Sequence, residues 1–320
     1  MRRDLHFVVL SGLLLAAALA SGCRANLAEV NQPGPLAQVL HLQDVPTETA
    51  GATPGQLPPL PRLPLFDTTE PPSNDRDWTA EHRTLAHATI DDDTLRVQNV
   101  RNCEFFSYRD CLVDHDDRTY DLSQLQTVDF IMVPFNETAA LAHTMLSFGF
   151  ADGQYLGVSV EVRLEKGESY SPTLGLFGQF ELIYVIADER DLIRVRTEYR
   201  DVEVLLYRTK ATPEMARRLL VDVLRRANEL RERPEYYDTL SNNCTTNIVR
   251  HINQLVPDRV PYDYRILLPG FADSLGYELG LLDTSVPLAE LRRRARINDL
   301  ALRYKDDPQF SQRIRGLAPR

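Results

Sequence analysis

Hydrophobic and polar residues alternate strictly along residues 154–164. Leu156, Val158, Val160, Val162 and Leu164 fall on one side, with Tyr155, Gly157, Ser159, Glu161 and Arg163 on the other. A period of two is that of a strand with distinct faces. Residues 141–150 form a second extended run, and Asp152-Gly153 between the two supplies the positive φ of a hairpin turn. If 151–153 is a three-residue loop, Phe150 pairs with Gln154 and His143 falls opposite Glu161; a two-residue loop puts His143 opposite Val162. A carboxylate beside an imidazole is what orients a catalytic base. Residues 89–100, 180–186, 192–196 and 202–207 read as further strands, and 121–133 as a turn into a buried one.

The period then changes to that of helices. Thr212-Pro213 opens an amphipathic helix with Met215, Leu219, Val223, Ala227 and Leu230 on its buried side, closed by Pro234. A second helix carries Cys244, Ile248, Ile252 and Leu255 on one stripe; Asn242 and Asn243 are its N-cap candidates and Pro257 stops it. Cys244 thus sits beside unpaired backbone N–H groups at the positive end of a helix dipole, a position that lowers a thiol pKa. The bland alternative is a small cysteine filling the first turn of a core helix. Residues 270–282 are apolar and glycine-rich, read as a packed core segment with an acyl-chain groove as the alternative. Residues 287–304 read as one helix presenting Arg292, Arg293, Arg294 and Arg296 to solvent. A sheet followed by helices makes the fold class α+β.

The N-terminal quarter is different in kind. Arg2 and Arg3 precede an apolar run from Phe7 to Ala20, the pattern of a secretory signal, too short for a confident membrane span. It ends Leu19-Ala-Ser-Gly-Cys23, which resembles a bacterial lipobox and implies lipidation of Cys23 and onward transport to the outer membrane. Ten of the twenty prolines lie between Pro33 and Pro72, so residues 23–73 are expected to be an extended tether reaching roughly 40 Å. The expected organisation is 1–22 signal peptide, 23–73 tether, 74–283 globular domain and 284–320 C-terminal helical extension.

Charge and cysteine content narrow the chemistry. A net charge of −10 without an aromatic-interleaved basic patch argues against a nucleic-acid partner. The acidic turn Asp114 to Asp117 has no second histidine at ligand spacing from His115, so it is read as solvated, and no metal or cofactor is expected. In an oxidising compartment Cys103 and Cys111 are a candidate disulfide, which leaves Cys244 as the odd thiol. A thiol at a helix start with a strand histidine is a nucleophile–base pair for attack on an acyl carbonyl. The Cys244 N–H, with the side chain of Asn243 or Asn242, would hold the oxyanion. His251 lies seven residues along the same helix, about 10.5 Å of rise away, too far to replace His143.

Val100-Arg-Asn102, Ala142-His-Thr-Met-Leu-Ser-Phe-Gly-Phe150, Ala187-Asp-Glu-Arg190 and Tyr237-Asp-Thr-Leu-Ser-Asn-Asn-Cys-Thr-Thr246 together resemble the Lnb N-terminal periplasmic domain family. The resemblance implies a circularly permuted papain-like (NlpC-like) fold, with an antiparallel sheet packed against the nucleophile helix and histidine preceding cysteine. It implies Cys244 as the thioester carrier and His143 as the base; Glu161 as a third member comes from strand pairing. Named members of the family are lipoprotein N-acyltransferases, implying transfer of an acyl chain from phospholipid to a lipoprotein amine. Hydrolysis of a cell-wall amide in peptidoglycan and a non-catalytic tethered scaffold are the alternatives.

Overall fold

The computed structural model describes residues 70–318 except 108, 109, 137, 172 and 173. The signal peptide, Cys23 and the tether up to residue 69 lie outside the described residues.

The described chain runs α1 (Ala80–Arg83), β1 (His87–Asp91), β2 (Thr94–Arg101), β3 (Glu104–Phe105), β4 (Cys111–Leu112), β5 (His115–Asp121), β6 (Leu125–Phe135), β7 (Thr138–Phe150), β8 (Tyr155–Arg163) and β9 (Glu181–Asp188). It continues through α2 (Glu189–Arg194), a π-helical turn (Val195–Tyr199), β10 (Leu205–Arg208), α3 (Pro213–Glu232), α4 (Cys244–Leu255), α5 (Tyr264–Leu267), α6 (Ala272–Glu278), α7 (Leu288–Ala295), α8 (Asn298–Arg303) and α9 (Phe310–Arg313). Eight strands make one sheet in the order β1-β2-β9-β8-β7-β6-β10, with β5 also on β2, and every pairing is antiparallel except a single β2–β9 bridge. The class is mixed α+β with a mostly antiparallel sheet.

Alternation decides which side of the sheet each residue faces. Val158, Val160, Leu146, Phe148, Tyr184 and Ile186 meet α3 and α4 in the larger core, which also takes in Cys244 and Ile248. Met145, Ile183, Val185 and Ala187 meet Leu192, Ile193, Ile297, Phe310 and Ile314 in a second core on the other side. The C-terminal helices therefore cover one face of the sheet, and Arg315 just after α9 is buried in it.

The β7–β8 hairpin has the three-residue loop. Phe150 N–H bonds Gln154 O, Gly153 takes φ +92°, and Met145 pairs Ser159 in the register that puts His143 level with Glu161. Residues 89–100 are instead two strands, β1 and β2, because Asp92 at φ +50° turns the chain between them. Residues 192–196 are helical, not a strand. Asp188 caps α2 by accepting from Arg190 N–H, and Leu192 and Ile193 fall on its buried side. The arginine-rich helix is also two, α7 and α8, parted at Arg296. Arg292 keeps its side chain 42% exposed and also forks onto the fully buried carboxylate of Asp273 (2.7 and 2.8 Å). In residues 270–282 Leu275 packs among Val249, Val260 and Ile266, and Leu282 is buried, while Phe271 is exposed. There Gly270 lies so close to β7 that a Cβ would sit 2.0 Å from Ala139 O.

Candidate active site

The turn before α4 is held rigid by its own polar side chains. Asp238 accepts from Leu240 N–H, Ser241 N–H and Ser241 Oγ. Asn243 is the N-cap, accepting from Thr246 N–H while the Thr246 hydroxyl accepts from Asn243 N–H, a reciprocal capping box. The Asn243 amide also donates to Thr239 O at 2.7 Å. Asn243→Ala is expected to cost about 1–2 kcal/mol, read as a lower urea midpoint with unchanged slope. Cys244, the first residue of α4, is 5% exposed.

β7 delivers the histidine. Its pairing with β8 runs from Gly149–Tyr155 to Met145–Ser159, whereas its pairing with β6 continues to Pro134–Ala142 and that of β8 with β9 to Arg163–Glu181. His143 therefore stands where β7 and β8 part, and the start of α4 enters beside it. Thr144, next along, hydrogen-bonds the hydroxyl of Thr245 at 3.0 Å. Burial alone would push the Cys244 thiol up. The hydrogen bond and charge of His143, with the hydroxyl and amide of Thr144, outweigh it and bring the thiol down to about 7.

The other side of the imidazole is a relay. His143 Nε2 is 2.7 Å from Ser159 Oγ, and that hydroxyl donates to Glu161 Oε1 at 2.5 Å. A hydroxyl has one proton, so with it given to Glu161 the oxygen accepts from His143 Nε2–H. This fixes the tautomer and leaves Nδ1 for Cys244. Arg196, carried in by the π-helical turn, donates to Glu161 Oε1 at 3.0 Å. His82 Nε2 reaches Glu161 Oε2 at 3.8 Å, its Nδ1 accepting from Leu164 N–H. Burial would raise the Glu161 pKa, but the nearby imidazoles of His143 and His82 and the charge of Arg196 hold it well below the usual carboxylate range. Burial opposes charging of His143, yet contacts with Cys244 and Glu161 raise its pKa. Both shifts favour a thiolate–imidazolium pair.

Among the residues named from sequence, Cys244, His143 and Glu161 come together, with Ser159 rather than Glu161 as the direct partner of the imidazole. Glu161 lies 3.7 Å from Nε2. Asn243 is the cap expected of it, and both Asn side chains bond within the turn: the Asn242 amide donates to Tyr236 O and its oxygen accepts from Asn247, while the Asn243 amide donates to Thr239 O. The N–H groups of Cys244 and Thr245, in the first turn of α4, make no hydrogen bond among the described residues. His251 is in a separate buried cluster with Asp222 (2.6 Å) and Tyr184 (2.8 Å). The sulfurs of Cys103 and Cys111 are not joined in the structure. Among the described residues no His/Cys/Asp/Glu cluster could hold a metal ion and no helix is long and apolar enough to cross a membrane. Ser159→Ala breaks the relay. A hydrogen bond to an ionised group is worth about 1.5–3 kcal/mol, so Cys244 acylation by a p-nitrophenyl ester is expected to slow about 10- to 100-fold with the thermal midpoint little changed.

A mixed α+β domain with a buried thiol at a helix start and a strand imidazole oriented through a hydroxyl–carboxylate relay is a cysteine–histidine domain. Residues 112–270 match the family model of the Lnb N-terminal periplasmic domain, and over that segment the chain belongs to this family, whose description places it in the periplasm. The matched segment contains His143, Ser159, Glu161, Arg196 and Cys244, while His82 and Arg101 precede it and Arg315 follows it. No curated protein and no solved structure matches the chain.

Proposed function

We propose that the protein is a periplasmic cysteine-dependent acyltransferase that carries an acyl group as a thioester on Cys244. The single observation that carries this reading is the placement of the Cys244 thiol at the start of α4 beside His143, whose ring is held through Ser159 by Glu161; the downward shift of the thiol agrees with it. The thiolate attacks an ester carbonyl, and the Cys244 and Thr245 N–H groups receive the oxyanion. The imidazolium of His143 gives its Nδ1 proton to the departing alkoxide, leaving the thioester and a free alcohol. An amine then attacks the thioester, His143 takes the amine proton, and the thiolate departs, restoring the pair. Ser159 and Glu161 hold the ring and offset its charge throughout.

The wider setting belongs to the same proposal. A lipid on Cys23 anchors the chain in the outer membrane, phospholipid is the donor and a lipoprotein amine the acceptor, in the manner of the family's named members. The order of His143 before Cys244 suits a circularly permuted papain-like arrangement. Incubating the protein with phospholipid vesicles is expected to give an acyl adduct on Cys244 by mass spectrometry, released by neutral hydroxylamine and missing in Cys244→Ala. Cleavage of peptidoglycan muropeptides without any adduct would instead identify a cell-wall amidase and sink the transfer reading.

A further inference from the structure

The two remaining cysteines of the described residues lie together behind the active site. Beyond Arg101 the β2–β5 ladder continues in one register into β3 and β4. Asn102 N–H bonds Asp114 O, Glu104 pairs Leu112, Phe105 pairs Cys111, and Phe106 N–H bonds Asp110 O. In that register Cys103 and Cys111 share a face as diagonal neighbours, Cys103 being two residues from the partner of Cys111. The right-handed twist of a strand pair draws such a diagonal together, and each thiol influences the ionisation of the other.

We propose that Cys103 and Cys111 form a structural disulfide that staples the β3–β4 ribbon to the back of the active site. Their surroundings set the order of events. Cys103 is buried and Cys111 only half-buried, so Cys111 is the thiol that reaches an incoming oxidant. Its thiolate attacks the disulfide of a thiol–disulfide exchange protein or of oxidised glutathione, expelling one thiolate and forming a mixed disulfide. Cys103, deprotonated, then attacks the Cys111 sulfur and expels the second thiolate. Two protein thiols are oxidised, one external disulfide is reduced to two thiols, and two protons move to them. Burial raises both thiol pKa values, which suits a bond made once and kept rather than a cycling redox pair.

The staple lies beside the charges that flank Glu161. Cys103 N–H donates to Asp191 Oδ2 at 2.7 Å, and the same carboxylate grips Arg101 at 2.7 and 3.1 Å. Arg101 and Glu161 feel each other's charge. Closing residues 103–111 into a ring fixes the amide that positions Asp191. Among the described residues Cys244 would then be the one cysteine left as a thiol.

Trypsin cuts after Arg101, Arg109 and Arg118, so the two cysteines separate into peptides 102–109 and 110–118. The full chain, exported to the periplasm and purified without reductant in oxidised glutathione, is alkylated and digested. The expected result is one linked species, two hydrogens lighter than the sum, that splits on reduction. Reductant should also lower the thermal midpoint of the wild type by about 5–10 °C and leave that of Cys103→Ala/Cys111→Ala unmoved. Recovery of both peptides separately alkylated, with a wild-type midpoint indifferent to reductant, would overturn the proposal.

Discussion

His143→Ala is expected to slow acylation of Cys244 by roughly 100- to 10,000-fold, the usual contribution of a positioned general base. A p-nitrophenyl ester serves as acyl donor, and the nitrophenolate burst is the readout. Without the imidazole the largest influence opposing burial at Cys244 is gone, so the thiol stays protonated at neutral pH. The thiolate is also left without the cation that hands a proton to the leaving group. Thermal stability should change far less than rate, because His143 lies where β7 and β8 have already parted.

Arg315→Ala is expected to be the most destabilising substitution outside the hydrophobic core. The guanidinium is buried between Asp129 and Glu189, with Nε to Asp129 Oδ2 at 2.8 Å and Nη1 to Glu189 Oε2 at 2.8 Å. It lies 3.8 Å over the Tyr155 ring and also donates to Ser147 at 3.3 Å. Its removal leaves two carboxylates, both at most 1% exposed, without their shared cation. Breaking such a buried cluster from one side costs about 3–5 kcal/mol, or a thermal midpoint lower by about 6–20 °C in a domain of this size. Arg315→Lys keeps the charge but not the fork and should fall between. A loss no larger than that of a surface arginine, read by calorimetry, would show that the C-terminal segment is not a working part of the fold.

The local half of the site was readable in the sequence. Asp152-Gly153 set a turn whose loop length fixed the register, and that register brought Glu161 level with His143. Ser159 was visible on the face of Glu161, but a serine inside a strand carries no chemical flag until a distance shows what it touches. Arg196 and His82 were not readable, because they come to Glu161 from distant elements. The run of Leu192, Ile193 and Val195 reads as a β-branched strand; capping by Asp188 and the core beneath the sheet make it a helix, and a π-helical turn then carries Arg196 to the carboxylate. Asn243 was readable as the N-cap and closes the capping box. Sequence does not show which partners in the turn the amides of Asn242 and Asn243 take.

The relay also explains why a half-buried Glu161 stays charged. Ser159, Arg196 and His82 each direct a proton at it, so burial strengthens these contacts instead of neutralising the group. A negative Glu161 favours a positive His143, and a positive His143 favours a Cys244 thiolate. Both partners shift in the direction of charge separation. The active form is therefore present above about pH 7, where the thiol has ionised, and is lost as pH falls through that value. At high pH it is lost again when the imidazolium gives up its proton.

The pH dependence of Cys244 alkylation by iodoacetamide, followed by peptide mass spectrometry between pH 5 and pH 10, tests this pairing most directly. The wild type should reach half its maximal rate near pH 7, and His143→Ala only above the ordinary thiol value of about 8.5. A wild-type midpoint at or above that value, or one that His143→Ala does not move, would contradict the assignment of Cys244 as a histidine-activated nucleophile.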